Sequence, residues 1–169
     1  MMRATSIPGA DDLQHPARRA EPRDHLQGQR MDRARATAFI DQLQNAQQEL
    51  YGGGGADPVR RLLDPDIVWH VPGGSPIAGR YEGAEEVIAY MLRRRNLAHG
   101  TFRMRRRELM VGEGEHFAAL TDGIATIDGR TGEWSTVGLY RLRAELLAEC
   151  RLLPFDQAQF DAIWGAGRS

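Results

Sequence analysis

The sequence predicts one α+β domain in which a curved antiparallel sheet packs against N-terminal helices, forming a cone around an internal pocket. Three observations carry that expectation. Helical apolar spacing dominates residues 32–97, four alternating segments fill residues 101–153, and 169 residues suffice for one core but not comfortably for two. Helices followed by a long run of strands place the helices on one face of the sheet.

Residues 1–30 are rich in Pro, Arg, Asp and Gln with few apolar residues at any period, so they are expected to form a disordered tail. The domain is expected to span 31–169, with Met31 as a candidate functional start. Over residues 32–51, Phe39, Leu43, Ala46 and Leu50 recur at helical spacing and give an amphipathic helix. The run Gly52 to Gly55 lacks the Lys-Ser/Thr of a phosphate loop and is expected to be a linker. Asp57-Pro58 supplies a cap and a first-turn proline for a short helix over 59–63, which Asp64-Pro65 closes. Residues 67–71 alternate Ile67, Trp69 and Val71 against Val68 and His70 as a strand that Pro72-Gly73-Gly74 ends. A helix over 82–97 turns Val87, Ile88, Met91 and Leu92 inward. Strands are expected over 101–111, 116–127, 134–143 and 146–153, and Asp156 opens a final helix over 157–164 with a capping-box pattern.

Composition limits the partners and the chemistry. With 22 basic and 23 acidic residues the net charge is -1, which gives no basis for capture of a nucleic acid. The single cysteine, Cys150, excludes an internal disulfide and a multi-thiolate zinc site, and makes cytoplasm the default location. No apolar run approaches the ~18 residues of a membrane span. All 22 basic residues are arginines, so this chain offers no side-chain amine for Schiff-base chemistry. No two histidines have the spacing of a metal pair on one helix face, and no metal or cofactor is expected.

The segment Trp69-His-Val-Pro-Gly-Gly-Ser-Pro-Ile-Ala-Gly-Arg-Tyr-Glu-Gly83, then a helix, four strands and the closing Pro154-Phe-Asp-Gln-Ala-Gln-Phe-Asp-Ala-Ile-Trp164, resembles the SnoaL-like group of the nuclear transport factor 2 superfamily. The resemblance covers roughly residues 32 to 165. It implies the cone-shaped fold, but the group mixes polyketide cyclases, ketosteroid isomerases, epoxide hydrolases and epoxide-opening cyclases, so it does not fix an activity. The position matching the isomerase base is Val71, and the position of its oxyanion acid is Thr136 or Val137. The last-strand aspartate of the limonene epoxide hydrolase type falls near Leu153. The catalytic aspartate of the cyclases falls nearest Asp156, which capping of the final helix also explains.

Strand pairing yields a more specific site. A two-residue loop at Glu113-Gly114 pairs Met110 with Phe117, Glu108 with Ala119, Arg106 with Thr121, Met104 with Gly123 and Phe102 with Ala125. A loop at Gly129-Arg130 pairs Ala125 with Trp134, Gly123 with Thr136, Thr121 with Gly138 and Ala119 with Tyr140. One face thus sets bulky Phe102, Met104, Met110, Phe117, Trp134 and Tyr140 around small residues, the expected cavity floor. Glu108 on that face is the candidate general acid or base, with Arg106 or Tyr140 steadying a developing oxyanion; a structural ion pair between Arg106 and Glu108 is the alternative. Thr121, Thr136, Trp69 and Tyr90 complete the candidate lining, and His70 is a further candidate whose alternation also suits a helix contact or an interface.

On the opposite face Arg105 is expected to pair with Asp122, and Leu109, Val111, Leu120, Ile124, Val137 and Leu139 suit a homodimer interface. The leading functional expectation is a cofactor-free enzyme using acid/base chemistry on a hydrophobic, oxygenated small molecule: a cyclisation, isomerisation or epoxide opening. The rival is a non-catalytic ligand-binding or dimerisation module.

Overall fold

The computed structural model describes residues 30–166, so the expectation for the N-terminal tail lies almost wholly outside the described residues. Helix α1 (Arg33–Tyr51) starts where the Asp32 carboxylate accepts the Arg35 N–H at 2.8 Å. It buries Phe39, Ile40, Leu43, Ala46 and Leu50 along one stripe, as their spacing predicts. Helix α2 (Asp57–Arg60) is a single turn with its proline at the start. Strand β1 (Leu63–Val71) begins four residues earlier than the alternation suggested, and an unexpected short strand β2 (Gly79–Glu82) lies just before the second long helix, taking only Glu82 from its expected span. Four residues without apolar alternation carry no strand signal of their own; pairing with β1 makes the strand. Helix α3 (Ala84–Leu97) follows, then β3 (Arg103–Val111), β4 (His116–Ile127), β5 (Arg130–Arg143), β6 (Leu146–Pro154) and α4 (Gln157–Gly165).

The six strands form one sheet in the order β2-β1-β6-β5-β4-β3. All neighbours are antiparallel except β1 and β6, which run parallel because the chain crosses over the sheet between them. The α+β expectation holds. Alternation divides the sheet into an inner face covered by the helices, with Trp69, Phe117, Ala119, Thr121, Gly123, Trp134, Thr136, Tyr140 and Leu152, and an outer face.

Two register details differ from the sequence reading. The β4–β5 turn is Asp128-Gly129, both residues left-handed (φ 48° and 75°), one position earlier than expected. Every partner therefore shifts by two: Phe117 faces Tyr140, Ala119 faces Gly138, Thr121 faces Thr136 and Gly123 faces Trp134. An even shift preserves the faces. The β3–β4 pair is altered more deeply. Met104 faces Gly123 and Arg106 faces Thr121 as expected, but a bulge at Arg107 then pairs Glu108 with Leu120, Leu109 with Ala119, Met110 with Ala118 and Val111 with Phe117. One extra residue turns the rest of the strand over. Glu108 and Met110 are exposed on the outer face, while Leu109 is buried and Val111 packs against the core.

The candidate site beneath the helices

The inner face is less hollow than a strip of small residues suggests, because neighbouring rings lie across it. A Cβ on Gly123 would fall 2.5 Å from the Trp134 ring, one on Gly138 would fall 2.3 Å from the Tyr140 hydroxyl, and one on Gly132 would fall 2.7 Å from Ile163 of α4. Thus the missing volume is taken up by Trp134, Tyr140 and Ile163. What remains is a small, partly open cavity of about 30 Å³ lined by Gln44, Gln47, Trp69, Arg94, Phe102, Met104, Thr121, Gly123, Trp134, Thr136, Tyr140 and Leu152. Trp69, Phe102, Met104, Thr121, Trp134, Thr136 and Tyr140 are therefore brought together as expected.

Glu108 is not among them; its placement on the cavity floor is corrected by the bulge. Arg106 does lie on the inner side, but its Nη1 sits 2.7 Å from Asp41 Oδ1 of α1 rather than against Glu108. The contact is an ion pair whose orientation is not that of a hydrogen bond. His70 lies on the outer face, half-buried, in a groove with Arg80, Arg141, Arg143, Arg151, Asp66 and Glu149. Burial, then Arg151 and Arg80, hold its pKa below the usual imidazole value. Asp156 caps α4, accepting the Gln159 N–H at 2.9 Å, which is the structural role the sequence offered for it. Asp122 accepts from Arg105, Arg107 and Ser135 at 3.0, 3.2 and 2.7 Å, so the expected cross-strand pair is present with two further partners.

At the centre of the site stands a residue the sequence analysis passed over. Arg94, only 5% exposed, projects from α3 into an aromatic box. Its guanidinium carbon lies 4.3 Å from the Phe102 centroid, 4.7 Å from Trp164, 5.5 Å from Tyr90 and 5.6 Å from Tyr51. Nη1 donates to the Tyr90 hydroxyl at 3.1 Å and more weakly to that of Tyr51 at 3.4 Å, while the buried Nε–H has no acceptor among the described residues. Burial opposes the charge on Arg94, yet the two phenol oxygens outweigh it and the net shift is upward, so the guanidinium stays protonated. Burial in turn pushes the phenols of Tyr51, Tyr90 and Tyr140 up, so they stay neutral. Cation–π contact contributes about 2 kcal/mol per favourable desolvated ring, whereas an uncompensated buried ion costs several kcal/mol. The helical phase of Val87, Met91 and Arg94 (i, i+4, i+7) was the available signal; it was hidden by two more arginines, Arg93 and Arg95, on either side.

Helix α4 closes the box. Trp164 and Phe160 are fully buried, with Trp164 stacked edge-on to Trp134 and Phe102 at 5.2 and 5.6 Å. The helix is tied to the β1–β2 loop by Asp161, which accepts the N–H groups of Gly74 and Ser75 at 3.1 and 3.2 Å, and by Gln157, which donates to the Pro72 carbonyl at 3.3 Å. Gly73, at φ 99°, has no room for a Cβ beneath Asp161. These contacts give the Pro-Gly-Gly-Ser segment a structural meaning. A larger, open groove of about 650 Å³ lies between the outer face and α4, lined by Arg103, Arg105, Arg107, Asp122 and Phe155 among others. Asp122 neutralises part of its charge, whereas the inner cavity is lined by two buried unpaired donors, on Arg94 and Trp69.

Among curated proteins no sequence matches this chain. Solved structures do. A Xanthomonas campestris protein of unknown function with a cystatin-like fold superimposes with a TM-score of 0.69 at 25% identity, over 77% of this chain and 98% of its own. A nuclear transport factor 2-like protein of Burkholderia xenovorans gives 0.63 at 16% identity, over 79% and 98%. TerC, co-crystallised with polyporic acid, gives 0.63 at 15% identity, over 76% and 97%. The sequence pattern of the SnoaL-like domain matches residues 43–150, from the middle of α1 to β6 and across most of the cavity wall. By that match, and with a sheet of the nuclear transport factor 2-like kind, this chain belongs to the SnoaL-like domain family.

Proposed function

We propose that this protein binds a hydrophobic small molecule in the cavity under α1, α3 and α4, and that it does so as a ligand-binding module rather than as a carboxylate-driven acid/base enzyme. The observation that carries this is the chemistry of the lining. Its polar groups are amides, hydroxyls and one guanidinium, with no Asp, Glu or His among the lining residues. A general base must stand within hydrogen-bond reach of the proton it removes, and Glu108 on the outer face is out of reach. TerC, a neighbour in fold, was co-crystallised with a small organic molecule, which is consistent with a small-molecule ligand here. No nucleic-acid partner, metal or cofactor is part of the proposal. A homodimer formed through the outer face is.

Native mass spectrometry of protein purified from its own source tests the reading. The expected result is a defined organic molecule retained by the wild type and equally by E108Q. A protein that carries none, or an E108Q variant that folds yet loses its ligand, would overturn it and return the enzyme reading to the front.

A further inference from the structure

Resting on the small-molecule reading above, we infer that the ligand is an organic anion, a carboxylate or enolate on a flat unsaturated frame, held by Arg94. A guanidinium cannot be deprotonated in a protein, so its charge is permanent and must be answered by something. The groups that touch it are four rings, two of them neutral phenols, and none carries a formal negative charge.

Hydrogen bonding points the same way. The Arg94 Nε–H and the indole N–H groups of Trp69 and Trp164 are buried with no acceptor among the described residues. Two of these unanswered donors, on Arg94 itself and on Trp69, border the cavity, and the third is on a ring that contacts the guanidinium. Gln48 Oε1 is a buried acceptor without a donor, but it belongs to α1, neither lining the cavity nor, unlike Trp164, in contact with Arg94.

The flat frame follows from shape. The guanidinium carbon lies 4.3 Å from the Phe102 centroid and 4.7 Å from that of Trp164, two rings set at 89° to each other, and the free volume of about 30 Å³ holds about one water. A ligand larger than that must take the place of a side chain. Trp164 is the one placed to yield, since it stands in the last turn of the terminal helix α4. A planar ring in its place would keep the stack on Arg94.

Benzoate and benzamide share a shape and differ in charge, so titration calorimetry and tryptophan fluorescence with the two probes test the inference. Benzoate is expected to bind the wild type at least tenfold more tightly than benzamide and to change the indole emission. R94M is expected to bring the two to parity, and R94K to fall between. If R94M does not fold, the wild-type ratio alone decides. Equal binding of the two probes, or no benzoate binding at millimolar concentration, overturns the anion site. So does a neutral molecule retained by the native protein, which would leave the cavity reading standing.

Discussion

The residues that define this site are unusual for the company they keep. Tyr51, Tyr90 and Tyr140 are fully or nearly fully buried, and burial raises the pKa of each above the ordinary phenol value of 10.0; burial raises that of the half-buried Tyr81 as well. Arg94 pulls Tyr51 and Tyr90 the other way but does not overcome desolvation. The consequence for stability has a definite sign. Above pH 10 an unfolded chain releases its phenol protons while the native protein keeps them, so unfolding is favoured as pH rises. Spectrophotometric titration at 295 nm should therefore show Tyr51, Tyr90 and Tyr140 still protonated in the native protein at pH 10, followed by an abrupt rise that coincides with loss of circular dichroism. A gradual titration of more than one tyrosine near pH 10 with the fold intact would mean that the buried phenols open readily to water. Asp64 acts at the other end of the scale: hydrogen bonds from Arg143 at 2.7 and 2.9 Å, and from the Asp66 N–H, hold its carboxyl below the usual range. Its contribution is present at neutral pH and is lost as pH falls through its lowered pKa.

At the scale of elements, the bulge in β3 decides which groups meet the cavity. The sequence of β3 alternates well enough that a plain two-residue hairpin accounts for every position from 102 to 110, and nothing in Arg105-Arg106-Arg107 marks the extra residue. The advantage lies in tertiary packing: the bulge turns Leu109 inward against Ala119 and keeps Glu108 in water. By contrast α1, α3 and the alternation of β4 and β5 were legible, because each has an apolar stripe of the right period. The even slip of the β4–β5 register cost nothing in face assignment, whereas the odd slip in β3 inverted it. Leu109→Ala tests this register, because the bulge buries Leu109 whereas the plain hairpin would leave it on the outer face. It is expected to destabilise the protein by about 2–5 kcal/mol in denaturant unfolding. R107A, which keeps the bulge and removes one of two arginines on Asp122, should cost within about 1 kcal/mol. Similar costs for the two variants would show that the bulge does not bury Leu109.

For the whole molecule, the sequence conveyed the architecture and the division of the sheet into two faces, but not how full the inside is. Small residues opposite large ones are compatible with a hollow or with rings folded across the gap, and only the side-chain directions of Trp134, Tyr140 and Ile163 separate the two. On the outer face the positions of Leu120, Val137 and Leu139 were legible, whereas the bulge replaces the expected Leu109 and Val111 by Glu108 and Met110. Leu120, Val137 and Leu153 align in one row across β4, β5 and β6, with Leu139 and Met110 alongside. Leu153 is 51% exposed, Met110 43% and Leu139 37%, in a chain whose remaining outer positions are largely charged. Apolar side chains contiguous across three strands and rimmed by arginine and carboxylate have the anatomy of an interface rather than of scattered surface leucines. A sheet face of this kind is self-complementary about a two-fold axis, and a stable pair needs about 800 Å² from each partner. Light scattering on the full chain at micromolar concentration should accordingly report a dimer. Leu153→Glu places two like charges near the axis and should yield a folded monomer with an unchanged inner cavity, seen as retained benzoate binding. A wild-type monomer, or a Leu153→Glu variant that remains dimeric, would move the interface away from this face and leave the leucine row without a partner.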